Sequence, residues 1–291
     1  TSLLSSRPTV STSTTIVDNG QMLGPAGVWM ALSGSGQVEA FRAYDRVGPN
    51  PLSKSAATTA TVGNSPQGVA TWDGVSVFVT NSGSNTVSRV EYPTAFTSTS
   101  VTATIAVGSS PTGIAMTANH AYVANNGSNS VSVIDTGSNA VVTTIPVGAA
   151  PWGVTGDPSA NRVYVANNGD NTVSVIDTTS NSVTKVVPVG SRPANIAVSV
   201  TKKGGKSLFV TNNGEGSVSV IDAGSLASKG KIAVGDQPWG IVTQGDSVFV
   251  ANYGSNTVSA INVPEGRVAA SIAVGSQPFM LAARGDVFVT N

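Results

Sequence analysis

Directly after the proline of a recurring Val-Gly-x-x-Pro turn stand Gln67, Thr112, Trp152, Ala194, Trp239 and Phe279, one per repeat and no two successive ones alike. Around them the sequence breaks its own pattern: Asn195 and Met280 replace a glycine, Leu32 replaces an asparagine, and Arg192 and Tyr253 stand in the adjoining loops. Aromatic walls with a few amide, hydroxyl and guanidinium groups are the makeup of a site for a small, largely apolar organic molecule. If such a site catalyses, it does so by shape. The aromatic walls would orient the substrate and Asn, Gln or Arg donors would polarise a carbonyl, as in a cyclase, lyase or pericyclase that needs neither metal nor cofactor.

Other chemistries are poorly supplied. The chain has no cysteine and one histidine, His120, which removes thiolate nucleophiles, Cys-based zinc sites and His clusters. No carboxylate falls on the ring positions, and the nearest charges are Arg192, Asp236, Asp170 and Glu215, so ordinary hydrolysis and a metal site both lack their groups. With 10% charged residues and a formal net charge of zero, the electrostatic footprint of a nucleic-acid binder is missing. No apolar run reaches the ~18 residues of a membrane helix. The opening Thr1 and the scarcity of Lys and Glu point to an exported protein, extracellular or on the cell surface.

The elements that must hold these residues follow from the repeat. The Val-Gly-x-x-Pro turn begins at Val62, Val107, Val147, Val189, Val234 and Val274, at intervals of 45, 40, 42, 45 and 40 residues. Each turn leads into a short strand a of small residues and an aromatic-rich strand b. A loop of Asn and Gly, a Val-Ser-Val-Ile strand c and a Thr/Val-rich strand d follow. The hairpin Val163-Tyr-Val-Ala-Asn-Asn-Gly-Asp-Asn-Thr-Val-Ser-Val-Ile-Asp177 shows the logic, because its loop residues adopt positive φ or bond their own backbone most easily. Four antiparallel strands in about 42 residues make one propeller blade, and 291 residues hold close to seven.

The expected architecture is therefore all-β: a single domain over residues 1–291, a seven-bladed β-propeller of four-stranded antiparallel blades. The blades fall at residues 18–61, 62–106, 107–146, 147–188, 189–233 and 234–273, with a last blade of 274–291 plus 1–17. In that last blade Ser2-Leu-Leu-Ser5 would serve as strand c and Thr9–Ile16 as strand d, so both chain ends tie the ring shut and leave no terminal edge unpaired. Strand a begins where strand b ends, so the residues after proline ring the channel mouth on one face. Just outside them come Asn81, Asn125, Asn167, Asn212, Asn252 and Asn291, which are expected to form turns.

The segments Tyr122-Val-Ala-Asn-Asn-Gly-Ser-Asn-Ser-Val-Ser-Val-Ile-Asp135 and Phe78-Val-Thr-Asn81 resemble the YVTN-repeat β-propellers of bacterial and archaeal surface-layer and exported proteins. The resemblance covers blades 2 to 6, two strands of blade 7 and blade 1 loosely. It implies a second function: an extracellular surface-layer or interaction module that contacts protein or glycan through its disc face without catalysis. It also implies a structural reading of the ring, since an aromatic after the proline is common in such repeats and serves packing there.

Overall fold

The structure is a computed structural model that describes residues 14–16, 27–32, 34–42, 58–72, 75–91, 99–200, 205–284 and 286–291. These form seven antiparallel sheets. Sheet 1 runs β1 (Thr14–Ile16), β2 (Gly27–Leu32), β3 (Gln37–Arg42) and β4 (Thr58–Thr61). Sheet 2 runs β5 (Pro66–Thr71), β6 (Ser76–Asn81), β7 (Thr86–Glu91) and β8 (Ser100–Ala106). Sheet 3 holds β9 (Pro111–Met116), β10 (His120–Asn125), β11 (Ser130–Asp135) and β12 (Ala140–Pro146). Sheet 4 holds β13 (Pro151–Asp157), β14 (Arg162–Asn167), β15 (Thr172–Asp177) and β16 (Ser182–Pro188). In sheet 5 come β17 (Pro193–Val200), β18 (Lys206–Asn212), β19 (Ser217–Asp222) and β20 (Ser228–Ala233). In sheet 6 come β21 (Pro238–Gln244), β22 (Ser247–Asn252), β23 (Thr257–Asn262) and β24 (Arg267–Ala273). Sheet 7 has two strands among the described residues, β25 (Leu281–Arg284) and β26 (Asp286–Val289).

Successive sheets pack face to face through their first strands: β5 on β9, β9 on β13, β13 on β17, β17 on β21 and β21 on β25. The second strands are covered on both faces, which is why β6 is buried at every position and β10 and β14 at all but the first. A strand covered on both faces carries apolar or small side chains throughout rather than on one face. The core consequently lies between sheets. Ala115, Tyr122, Val131 and Val133 of sheet 3 meet Val154, Val163, Val165 and Ile176 of sheet 4, and similar clusters fill the other seams. Outer strands such as β12 alternate between exposed and half-buried residues, because one edge and part of each face meet solvent.

One expectation fails. The strand assigned to Thr9–Ile16 was to complete the last blade, but its described part, Thr14–Ile16, pairs with Met30–Leu32 of β2 and is the first strand of sheet 1. The physical reason is that β2 otherwise presents an open edge beside the innermost strand of sheet 2, and Thr-Thr-Ile fits either edge by propensity. Ser2–Ser5 and the rest of residues 1–13 lie outside the described residues.

A local irregularity recurs where each first strand begins. Pro66 pairs with Asn81 and Val69 with Val79, so Gln67 and Gly68 together oppose Thr80. The same bulge occurs at Pro111–Ile114, Pro151–Val154, Pro193–Ile196 and Pro238–Ile241. A bulge re-aims the extra residue out of the ladder, and the residue after the proline is half-buried at Gln67, Trp152 and Trp239 and buried at Thr112 and Ala194.

Candidate functional site

The residue before each proline has a left-handed backbone: φ is 49° at Ser65 and Ser110, 48° at Ala150, 52° at Arg192, 49° at Gln237 and 56° at Gln277. That conformation is costly for residues other than glycine, and hydrogen bonds from the preceding sheet hold it. Asn85 Oδ1 accepts the Ser110 N–H at 2.8 Å, Asn129 Oδ1 that of Ala150 at 2.9 Å, Asn171 Oδ1 that of Arg192 at 2.8 Å and Asn256 Oδ1 that of Gln277 at 2.8 Å. The second asparagine of each Asn-Asn-Gly loop adds a donor: Asn126 Nδ2 reaches the Pro151 carbonyl at 3.1 Å and Asn168 Nδ2 the Pro193 carbonyl at 3.0 Å. Each mouth turn is thus positioned by its neighbouring blade as well as by its own.

On this scaffold four rings come together. Trp152 of sheet 4 and Trp239 of sheet 6 meet edge-to-face, with centroids 5.2 Å apart and planes at 86°. Phe279, in the turn before sheet 7, stacks on Trp239 at 5.0 Å and 26°. Tyr253 stands edge-on to Phe279 at 6.4 Å and 77°. All four are half-buried. Trp152 and Trp239 belong to sheets two apart in the order, so their contact requires sheets 4 to 6 to lie on an arc with the first strands innermost. These spacings are van der Waals contacts between rings, so the cluster fills its own centre and presents a platform rather than empty walls.

The polar candidates are placed differently. Thr112 is 5% exposed, and its hydroxyl lies 3.1 Å from the Trp152 carbonyl and 3.3 Å from that of Pro151. Asn195 is half-buried, and its Nδ2 donates to the Trp239 carbonyl at 3.3 Å and lies 3.9 Å from the Met280 sulfur. Both side chains therefore brace the ring backbones. Where other first strands have glycine, an added Cβ has no room: at Gly240 it would stand 2.6 Å from the Phe279 carbonyl. Asn195 and Met280 carry a Cβ at the equivalent positions, and their side chains fill the space between sheets 5 and 7 by meeting each other.

Arg192 is exposed, and its Cγ and Cδ lie along Gly214 in the β18–β19 hairpin of the same sheet. Gln67 is half-buried with no side-chain hydrogen bond among the described residues, Ala194 is fully buried, and Leu32 ends β2 in the first sheet. The structure thus brings together Trp152, Trp239, Phe279, Tyr253, Asn195, Met280 and Thr112, and among the described residues shows no hydrogen bond or ring contact from Gln67 or Arg192 side chains to them, while the side chain of Leu32 lies outside what is described.

Two features escape a reading by residue type. The buried asparagines ending the second strands form turns through their backbone, as Ser84, Asp170 and Glu215 N–H donate to the Asn81, Asn167 and Asn212 carbonyls, and they also tie the hairpins through their side chains: Asn167 Nδ2 donates to Thr172 Oγ1 and Ser174 Oγ, both at 2.9 Å, and Asn81, Asn125, Asn212 and Asn252 repeat the pattern. Their spacing, Asn-x4-Ser/Thr-x-Ser, was visible in the sequence as the signal. The other feature is the Trp239 indole, whose Nε1 is buried without a hydrogen-bond partner.

Carboxylates with lowered pKa serve the framework. Asp135, Asp177 and Asp222 accept backbone and side-chain hydrogen bonds within the turns after the third strands, at the opposite end of the sheets from the rings. Glu215 is held low by Lys231 and Ser217 beside the Ser191 turn. Among the described residues no three His, Cys, Asp or Glu side chains come together as metal ligands.

No protein-family model and no curated protein sequence matches the chain. Solved structures do. Hydrazine synthase of Kuenenia stuttgartiensis superposes with a TM-score of 0.75 at 19% identity, over 91% of this chain and 89% of that one. A functionally unknown protein from Desulfotomaculum acetoxidans DSM 771 gives 0.71 at 16% identity, over 97% and 90%. The dihydro-heme d1 dehydrogenase NirN, solved in complex with DHE, gives 0.67 at 13% identity over 91% of this chain, which spans 58% of that one. At these identities the likeness is one of fold, and together with the six four-stranded sheets and the two-stranded seventh it supports a β-propeller.

Proposed function

We propose that the chain binds a small, planar, largely apolar organic molecule on the aromatic platform at the centre of one face. The observation that carries this reading is the cluster of Trp152, Trp239, Phe279 and Tyr253, half-exposed and drawn from three repeats. The repeat itself does not require these residues, since Gln67 and Ala194 occupy the same position in other sheets. A fold neighbour, NirN, was solved with DHE bound, and this agrees with ligand binding on such a scaffold in general terms. The reading takes the seven sheets as a closed ring, with sheet 7 completed by strands beyond those described, and places the protein outside the cell. Its catalytic form is a metal-independent cyclase or lyase that works by orienting its substrate on the rings. Tryptophan fluorescence titrated with a panel of planar aromatic compounds tests it. Saturable quenching is expected, weakened about tenfold or more in Trp152→Ala and Phe279→Ala. A panel that leaves fluorescence and melting temperature unchanged at millimolar concentration sinks the reading.

A different observation favours the surface module. Val101, Val142 and Val186, on the outer strands β8, β12 and β16, are 37%, 52% and 51% exposed, an apolar series on consecutive sheets. Outer strands with apolar side chains and open edges suit contact with protein or glycan without catalysis. If this reading holds, Val142→Lys with Val186→Lys abolishes self-association or surface attachment and leaves the fluorescence titration untouched.

A further inference from the structure

We infer that the ligand of the aromatic platform is a neutral carbonyl compound whose oxygen accepts the Trp239 indole N–H. This rests on the ligand-binding reading of the cluster and adds the chemical class. An indole nitrogen is a donor only, and Trp239 Nε1 is buried with no partner among the described residues. A buried donor left unpaired forfeits the hydrogen bond that water would supply. Nothing nearby in the protein inherits the role. The Thr112 hydroxyl lies against backbone carbonyls, and the Asn195 amide nitrogen, itself a donor, faces the Trp239 carbonyl and the Met280 sulfur. The perpendicular face of Trp152 is at best a weak acceptor.

The backbone of Trp239 is held by hydrogen bonds, while its ring is held by ring contacts with Trp152 and Phe279. Its carbonyl takes hydrogen bonds from Thr211 Oγ1 at 2.8 Å and from Asn195 Nδ2 at 3.3 Å, and Pro238 begins the bulge that aims the side chain outward. The indole is therefore a donor on a rigid stem, flanked by half-exposed rings that a planar molecule can displace. Neutrality follows from the surroundings. Among the described residues the partners of the rings and of the Trp239 backbone are other rings, the Asn195 amide and hydroxyl groups, so a carboxylate on the platform would lose hydration without gaining a counter-charge from them. A ketone, quinone, lactone or amide oxygen meets the donor at far lower cost. Trp239 thereby replaces Asn195, Gln67 and Arg192 as the group that recognises a carbonyl.

The test compares 1-indanone with indane, two bicyclic probes that differ by a carbonyl oxygen, by ligand-observed NMR titration against the native protein and Trp239→Phe. Phenylalanine keeps an aromatic ring at the position and removes the N–H. The quantity read is the indanone-to-indane preference in the native protein divided by that in the variant, expected at about tenfold. In the native protein alone, the Trp239 indole N–H resonance is expected to move downfield with indanone and to stay in place with indane. This readout holds whether or not the variant folds. If both probes bind with equal preference in the two proteins, or the resonance does not distinguish them, the carbonyl inference is overturned and platform binding stands. If neither probe binds at millimolar concentration, both fall together.

Discussion

Asp157 is the one charged side chain among the buried residues described, at 5% exposure. Burial alone would raise its pKa, but hydrogen bonds from Lys206 and Ser159 and the charge of Lys206 outweigh that and hold it below the usual range. Lys206 Nζ stands 2.8 Å from Oδ1 and 2.9 Å from Oδ2, joining the end of β13 in sheet 4 to the start of β18 in sheet 5. Because the folded pKa is depressed, the stabilisation is fully present above the unfolded value of about 4 and is lost as pH falls through the folded one. Asp157→Asn should cost about 1–2 kcal/mol at pH 7, the lysine being partly solvated. Urea unfolding at pH 7 and pH 2.5 checks this, with the gap between native and variant expected to shrink in acid. Tyr122 behaves with the opposite sign. Burial first, and then the nearby charge of Asp177, push its pKa up to about 12, while its hydroxyl donates to Asn181 Oδ1 at 2.7 Å. Its contribution is intact below pH 10 and fades as pH rises toward 12, so Tyr122→Phe should flatten the alkaline limb of the stability profile.

At the scale of elements, each sheet is joined to the next by side chains that the repeat supplies in two versions. Thr80 and Thr211 accept a backbone N–H from their own first strand and donate to a carbonyl of the next sheet's first strand, Thr112 and Trp239 respectively. Sheets 3, 4 and 6 have Ala124, Ala166 and Ala251 at that position. Thr211→Val keeps the shape and strands both the Asn195 N–H and one bond to the Trp239 carbonyl, an expected cost of about 1–3 kcal/mol. The same change should loosen the Trp239 stem, seen as faster exchange of its indole proton. The asparagine ties are expected to matter as much. Asn167→Ala leaves Ser174, fully buried, without its donor, and should lower the melting temperature where Asn168→Ala, on a half-buried loop bond, lowers it less.

For the whole molecule the last sheet of the series differs from the six before it. Sheet 7 shows two strands among the described residues, whereas sheets 1 to 6 have four. Thr14–Ile16 is engaged with β2, so any closure of sheet 7 from the N-terminal stretch would have to come from outside that strand. Deleting residues 1–13 while keeping Thr14–Ile16 separates the two roles. A fall in melting temperature of about 5 °C or more is expected if they close the ring, by the usual relation between lost stability and Tm for a chain of this size. An unchanged Tm counts against closure from that end.

What the sequence by itself determined is the unit: a repeat of some 42 residues, period-two strands and Asn-Gly hairpins dictate four-stranded antiparallel sheets, because these signals act between residues close in the chain. The set of aromatic residues was legible for the same reason, as departures from a repeat. Tertiary structure alone decided the rest. Trp152 and Trp239 touch across two sheets, Asn195 meets Met280 85 positions away, and Trp239 keeps its N–H buried without a partner among the described residues. Those outcomes depend on how far apart the inner strands stand and which side chain fills each gap, which is a property of the packed sheets together and of no single repeat.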